Sequence, residues 1–320
     1  MDTGRLNRRR LARRIGARLA GAVAVVWGAA TLSFIALHLI PGDPVDALLG
    51  PNVGATPQLR ATITADLQLD RPLLVQYLSY LHRLLTVDFG QSYRLGRPVA
   101  DVVAEKIAPT AQLAVAAFGV AVVLAVALAV VAAISSPAMR AVVSVAELVG
   151  SSAPSFWVGI VAISVFSFGL GWFPSSGSAG FASLVLPALT LALPIGCVLA
   201  QVIGQALDYA DDQPFATTVR ARGVPHRTAV VRHYLRHAAV PALTLSGWTL
   251  AGFLGGAVLI ETVFARAGLG RALVDAVTTR DIPVVTAITM LAAAAFVVVN
   301  TIVDLVNRVA DPRTRTANRP

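Results

Sequence analysis

Long apolar runs dominate this chain, and its polar residues are pushed into the gaps between them. A helix that crosses a bilayer needs about 20 predominantly apolar residues. Six segments reach that length, at roughly 15–40, 109–134, 142–169, 184–206, 241–264 and 284–305. The clearest reads AQLAVAAFGVAVVLAVALAVVAAI, in which Gln112 is the one strongly polar side chain. Pro154 should kink the third run, because a proline ring displaces the preceding turn. The pattern predicts an all-α polytopic membrane protein with six transmembrane helices. No short internal repeat or low-complexity tract accompanies it.

Two gaps carry patterns of their own. In RPLLVQYLSYLHRLL, Leu74, Tyr77, Leu78, Leu81 and Leu85 share one stripe, with Gln76, Ser79 and Arg83 away from it. That predicts an amphipathic helix lying on the outer surface of the spans. The second gap, TTVRARGVPHRTAVVRHYLRHAAVP at 217–241, holds five arginines, three of the five histidines and no acid. Its pattern is two short helices split at RGVP, with Gly223 ending the first and Pro225 opening the second. In the second helix Ala229, Val230, Tyr234 and Leu235 fall near one face, with Arg232, His233 and Arg236 elsewhere.

Composition agrees with the runs. The chain is 56% apolar and 13% charged, too little polar surface to cover a soluble domain. Its net charge of +9 sits at the ends of apolar runs and is not interleaved with aromatics, so nucleic acid is excluded as a partner and membrane lipid is expected. Cys197 is the single cysteine, so no intrachain disulfide can form.

Arginine placement sets direction. Residues 1–18 carry seven arginines against Asp2, whereas 41–108 carry six basic and seven acidic residues. The N-terminus is therefore expected in the cytoplasm and 41–108 outside. Counting spans alternately puts 207–240, with five arginines against three aspartates, and 306–320, with four arginines against Asp311, inside. RRRLARRIG precedes a long run with no cleavage site, which predicts a retained signal anchor. The expected divisions are a basic cytoplasmic N-terminus at 1–14, a first span at 15–40, an extracytoplasmic segment with amphipathic helices at 41–108, and a core at 109–320.

Burying the five arginines of 217–241 in hydrocarbon would cost about 13–17 kcal/mol, at about 2.5–3.5 kcal/mol each. The stretch must lie outside the bilayer core. It fits either a lipid-surface helix attracting acidic headgroups or a knob that docks in the groove of a cytoplasmic partner.

Several constellations carry no chemistry. DFG at 88–90 lacks every other kinase motif, and AGLGR at 267–271 lacks the preceding strand of a dinucleotide site, so it reads as a turn. His233 and His237 stand four apart, but no carboxylate or cysteine joins them and the nearby arginines repel a cation, so no metal site is expected. No serine–histidine–acid or paired-carboxylate site can be argued, and no catalytic residue is assigned. A phosphate-binding loop needs Gly-x4-Gly-Lys-Ser/Thr, and the only lysine, Lys106, sits in AEKIAP. Charges in or near the spans are Glu147, Glu261 and Asp304. Asp304 reads as a helix-end pair with Arg308. Glu147 and Glu261, with Pro154 beyond Glu147, are candidates to border a translocation path, since intramembrane carboxylates face cavities or partner helices.

FATTVRARGVPHRTAVVRHYLRHAAVP resembles the coupling motif of permease subunits of ATP-binding-cassette (ABC) importers, and most nearly the B-type permease of the dipeptide, oligopeptide and nickel importer family. Gly223, Leu235, Arg236 and Pro241 match; Phe215 stands for Tyr, Val219 for Ala, Arg222 for Lys and His237 for Asn. LIPGDPV, LDRPLLVQYLSYL, GRPV, SAPSFWVGI, LVLPALTLALP, GGAVLIETVF, GLGRALVDAV and VNTIVDLVNRVADPR extend the likeness over nearly the whole chain. Arg266-Ala267 replaces the family's Trp-Pro, which would place an extra cation near the outer mouth.

The resemblance implies a type I importer permease in the bacterial cytoplasmic (inner) membrane, with both termini cytoplasmic. It implies partners: a second homologous permease, two ATPase subunits and an extracytoplasmic substrate-binding protein. No cofactor is expected on this chain; ATP and Mg2+ would sit on the ATPases. In the coupling loop at 207–240, Phe215, Thr218, Arg220, Arg222, Gly223, His233 and Arg236 would contact them. Di- or oligopeptides are the implied substrate, with nickel or another small solute as the alternative. A secondary transporter would need inverted repeats and broken helices at the midplane, and the mid-span prolines are not mirrored between the halves.

Overall fold

The computed structural model describes residues 3–39, 45 and 56–310, with side chains described throughout 68–238 and 255–303 and at selected positions elsewhere. Most of LIPGDPV, the segment 311–320 and the expected Asp304–Arg308 pair lie outside the described residues. The fold is helical: α1 Thr3–Leu39, α2 Pro57–Leu67, α3 Leu73–Leu85, α4 Val99–Ile134, α5 Pro137–Ser152, α6 Ser155–Ala162, α7 Ala182–Asp211, α8 Pro214–Ala221, α9 His226–Ala229, α10 Leu235–Val263, α11 Leu269–Thr279 and α12 Ile282–Ala310. Two short π-helical stretches, Ile163–Gly169 and Val230–Tyr234, continue α6 and join α9 to α10. Among the described residues, Val99–Ile134, Ala182–Asp211 and Ile282–Val303 are long and apolar enough to cross a membrane.

The third run departs from expectation. Instead of one kinked helix, α5 and the α6 stretch to Gly169 meet at a 103° bend, and count as a span only as a broken pair. Ala153 is extended at φ −70°, ψ 128°, because the ring of Pro154 disfavours helical geometry in the residue before it. α4 also begins ten residues early, at Val99, so its first turns carry Asp101, Glu105 and Lys106 ahead of the apolar run.

Two compact units emerge, one of residues 1–107 and 272–297, the other of 108–271 and 298–320. In the second, α7 is central: 56% of its most apolar window is buried, against 22% for α4. It packs against α5, α6 and α10. α4 meets it through Leu113, Ala117, Ala121, Ala125 and Ala129, spaced by four and each at most 1% exposed. Spacing by four puts them on one helix face, and small side chains let the backbones approach. A Cβ on Gly196 of α7 would lie 3.2 Å from the Ala121 carbonyl oxygen and 2.9 Å from Leu124 Cδ2. In lipid, where burial of oil against oil gains nothing, such close van der Waals packing is what holds helices together.

In the first unit the stripe of α3 is divided: Tyr77 and Leu81 are half-buried. Leu74, Leu78 and Leu85 are exposed, whereas Gln76 is buried. Gln76 Nε2 donates to the Arg71 carbonyl at 2.8 Å, and its Oε1 lies 3.1 Å from His38 Nε2. Tyr80 donates to the Ala30 carbonyl at 3.2 Å, and the hydroxyls of Tyr77 and Thr31 share a 2.7 Å bond. A polar face beside apolar surroundings turns inward to find partners, and leucines are left to face outward. The one departure from all-α structure among the described residues is a two-residue ladder, Gln91–Ser92 with Arg97–Pro98, antiparallel. Ser92 Oγ donates to Asp281 Oδ2 at 2.5 Å and accepts from the Leu95 amide at 3.0 Å, fixing this hairpin beside the start of α12.

If the α4–α7 approach sets the stability of the second unit, Gly196→Leu should destabilise it by roughly 1–3 kcal/mol through overpacking. Gly119→Ala on α4, where nothing lies within 4 Å of an added Cβ, should be close to neutral. Thermal unfolding of the two variants in detergent reads the difference.

Candidate functional site

The basic loop is anchored from below and bare above. α7 ends at Asp211, and the extended Gln213 redirects the chain so that Pro214 opens α8 at a position where its missing N–H costs nothing. Arg222 caps α8, and Gly223 follows at φ +73°, with its N–H bonded to the Arg220 carbonyl at 2.9 Å. Nothing lies within 4 Å of a Cβ built on Gly223, so its requirement is one of backbone conformation and not of space. Pro225 then starts α9.

The expected second short helix is instead the first part of a longer one. α9, the π turn Val230–Tyr234 and α10 run on without a break to Val263. Its underside is apolar: Ala216, Ala229, Val230, Tyr234 and Ala238 are buried with Leu207 and Ala210 of α7 and Ala125 and Ala129 of α4. Phe215, half-buried, sits edge-on to Tyr234 at 5.9 Å and nearly stacks on His237 at 4.5 Å. Two polar ties fix the loop to helix ends. Arg220 Nη1 bonds Asp211 Oδ1 at 2.9 Å. His226 Nε2 donates to the Ala133 carbonyl at 3.1 Å, an orphan acceptor of the last turn of α4. Sequence reasoning passed over His226, because its partner lies 93 residues away.

Of the seven predicted loop residues, Phe215 faces the apolar underside and Arg220 is paired with Asp211. Thr218, Arg222, Gly223 and Arg236 are exposed and His233 is half-buried. Arg222, Arg227, Arg232 and Arg236 make no ion pair among the described residues, and they leave a bare cationic surface over a packed base.

Glu261 and Glu147 have separate surroundings. Glu261, in the last turn of α10, is fully buried. Its Oε1 accepts from Thr110 Oγ1 at 2.6 Å, and its Oε2 accepts from the amides of Gly270 at 2.7 Å and Arg271 at 3.2 Å. Thr110 Oγ1 in turn accepts from the Leu269 amide at 2.8 Å. The carboxylate therefore caps the N-terminus of α11, whose first amides have no intrahelical partner and whose dipole favours negative charge. The GLG turn exists for this cap: a Cβ on Gly268 would collide with the Glu261 carboxylate, and one on Gly270 would lie 2.5 Å from Val258 Cα. As a candidate wall of a path, Glu261 is closed to solvent in this chain.

Arg266, expected near an outer mouth, is 1% exposed, and its Nη1 donates to the Ser183 carbonyl at 3.0 Å. Burial lowers the pKa of its guanidinium, and the charge of Glu261 opposes that.

Glu147 instead lines an open cleft with Arg140, Ser144, Gln201, Gln205 and Asp208, enclosing about 370 Å³ between α4, α5 and α7. Pro154 lies beyond the end of α5, in a separate apolar groove with Leu148, Phe156 and Trp157. The three path candidates thus occupy three environments. Among the described residues no group of three or more His, Cys, Asp or Glu side chains could hold a metal ion.

Comparison with known proteins gives the family. Residues 121–316 match the model described as binding-protein-dependent transport system inner membrane component, and residues 11–114 match its N-terminal counterpart. A protein of Brucella abortus (strain 2308), provisionally named a peptide transport system permease, is 38% identical over 309 residues, covering 93% of this chain and 97% of its own. The glutathione transport system permease protein of Salmonella choleraesuis (strain SC-B67) is 34% identical over 304 residues, with 93% and 97% covered. That of Salmonella typhi shows the same values.

The Glu261 cap yields a stability expectation. Thr110→Val keeps shape but removes the donor to a buried carboxylate, and should destabilise the chain by about 1–3 kcal/mol. Gly270→Ala should cost a similar amount, about 1–3 kcal/mol, by forcing α10 and α11 apart. Thermal unfolding of the purified chain measures both.

Proposed function

We propose that this chain, which belongs to the family of binding-protein-dependent transport system inner membrane components, forms half of the translocation path of an ABC importer for di- or oligopeptides. It is a multi-pass bacterial membrane protein and a permease subunit. In this reading it has six crossings in the type I importer arrangement, both termini in the cytoplasm of a bacterial inner membrane, and an extracytoplasmic segment over 41–108. Its path is completed by a second, related permease.

The observation that carries the reading is the loop at 207–240. Its apolar underside is packed on the chain's own helix ends, while Arg222, Arg227, Arg232 and Arg236 stand clear of it. A rigid base joined without a break to α10 suits a surface that must transmit motion. A loop meant only to sit in lipid headgroups would need no such base. ATP binding would close two ATPase subunits against this surface, through Phe215, Thr218, Arg220, Arg222, Gly223, His233 and Arg236, and turn the path outward. A loaded binding protein would release solute into it, and hydrolysis would reset the inward-open state. The lining of the path would include Glu147 and the bend at Pro154, with Glu261 holding the wall together from within.

Peptide is favoured because one group of relatives is provisionally named for peptide transport and another for glutathione, itself a small peptide-like solute.

The test is uptake by proteoliposomes holding the chain with its second permease, its ATPases and its binding protein. Arg222→Glu with Arg232→Glu should leave membrane insertion intact, abolish co-purification of the ATPases and lower uptake by at least about ten-fold, the equivalent of 1.4 kcal/mol of coupling. Gly223→Ala, which forces a non-glycine residue to φ +73° at a cost of about 1–2 kcal/mol, should slow ATP-driven uptake less severely. Uptake by the purified chain alone, driven by an ion gradient, would overturn the proposal.

A further inference from the structure

The cleft at Glu147 is built from two polar ladders that face each other. On α5, Arg140, Ser144 and Glu147 follow one another at spacings of four and three residues; on α7, Gln201, Gln205 and Asp208 do the same. Ala129, Ala132 and Ala133 of α4 form an apolar floor. At one end Arg140 Nη1 stands 3.6 Å from Asp208 Oδ1, with both side chains substantially exposed. Arg140 is further engaged through Nε by the Ala132 carbonyl at 3.2 Å. At the other end lies Glu147, 7% exposed, and no hydrogen-bond donor reaches its carboxylate from the described residues. One turn on, Gly150 and Cys197 touch so closely that a Cβ on Gly150 would lie 2.6 Å from Cys197 Sγ; that thiol, a weak donor, makes no hydrogen bond to Glu147 among the described residues.

A carboxylate in this position lacks a partner. Buried charges are retained when they are paired, and an intramembrane carboxylate without one points to a ligand. No cation reaches it from the described residues: Arg140 stands two helical turns away, about 10 Å along α5, and already has two acceptors. The walls beside Glu147 also carry the Ser144 hydroxyl and the Gln201 carboxamide, each with an oxygen able to accept as well as an N–H or O–H able to donate. One carboxylate with neutral oxygen acceptors matches a group carrying positive charge and several N–H donors.

We propose that this cleft binds the protonated amino group of the transported solute, with Glu147 as its counter-ion and Ser144 and Gln201 as hydrogen-bond acceptors. The proposal rests on the permease reading and deepens it. It makes a free amine a determinant of which solutes pass, with Arg140 and Asp208 as the ion pair at the open end. The cleft volume is of the size that accepts a small organic molecule and exceeds what a bare ion requires.

The test reads binding and not transport. Gln205→Cys, in the full chain and in the assembled complex, is modified with neutral methyl methanethiosulfonate; the native Cys197, 2% exposed, sets the background. Alanine methyl ester should slow modification several-fold, N-acetylalanine methyl ester should not, and adding Glu147→Gln should remove the protection. Should Gln205→Cys fail to fold, Gly204→Cys, where an added Cβ meets nothing within 4 Å, reports the same cleft.

Equal protection by the two esters, or protection that survives Glu147→Gln, overturns the proposal. So does protection by sodium or potassium chloride alone, which marks an inorganic cation site. A cysteine that reacts in the isolated chain but not in the assembled complex places a partner subunit's side chain in the cleft, and overturns it as well. Protection in a complex that fails to import peptide in the separate uptake assay would sink the peptide reading while leaving the amine site standing.

Discussion

Close approach between helix backbones is the constraint on which the rest depends. With apolar residues outside as well as inside, hydrophobic burial cannot distinguish one helix pairing from another. Shape has to do it. Gly196 against Ala121 and Gly150 against Cys197 bring α4 and α5 onto α7 at distances that larger residues would forbid. That closeness places Glu147 beside Gln201, and it sets the end of α4 where His226 can reach Ala133.

Polar groups follow from the same constraint. With little water to satisfy them, they are either matched within the chain or left facing a cavity. Glu261 is the matched case: Thr110 and the first amides of α11 take up its oxygens, and two glycines make room for them. Glu147 is the unmatched case: no donor reaches it from the described residues, and it faces a cleft of the second unit. Two glutamates that look alike in sequence, each inside an apolar run, therefore have opposite roles.

The basic loop is built on these same elements. Its underside is continuous with the core around α7, its second helix runs unbroken into α10, and Glu261 of α10 binds the first amides of α11. Its exposed arginines cost little where they stand and would be costly in hydrocarbon, which fixes the loop as a surface.

Much of this was legible in the chain itself. The apolar runs announced a helical membrane protein, and RGVP marked where the chain breaks between α8 and α9. The motif order carried the family. Other features were decided only in three dimensions, because they depend on partners distant in sequence. Periodicity located the stripe of α3 but not its direction, which is set by the partners that Gln76 and Tyr80 find on His38 and Ala30. Pro154 announced a kink, yet the 103° bend depends on what α5 and α6 pack against. Glu147 and Glu261 were both visible as charges in oil. Whether a donor waits for each of them is a property of neighbouring helices, and sequence spacing along one helix cannot express it.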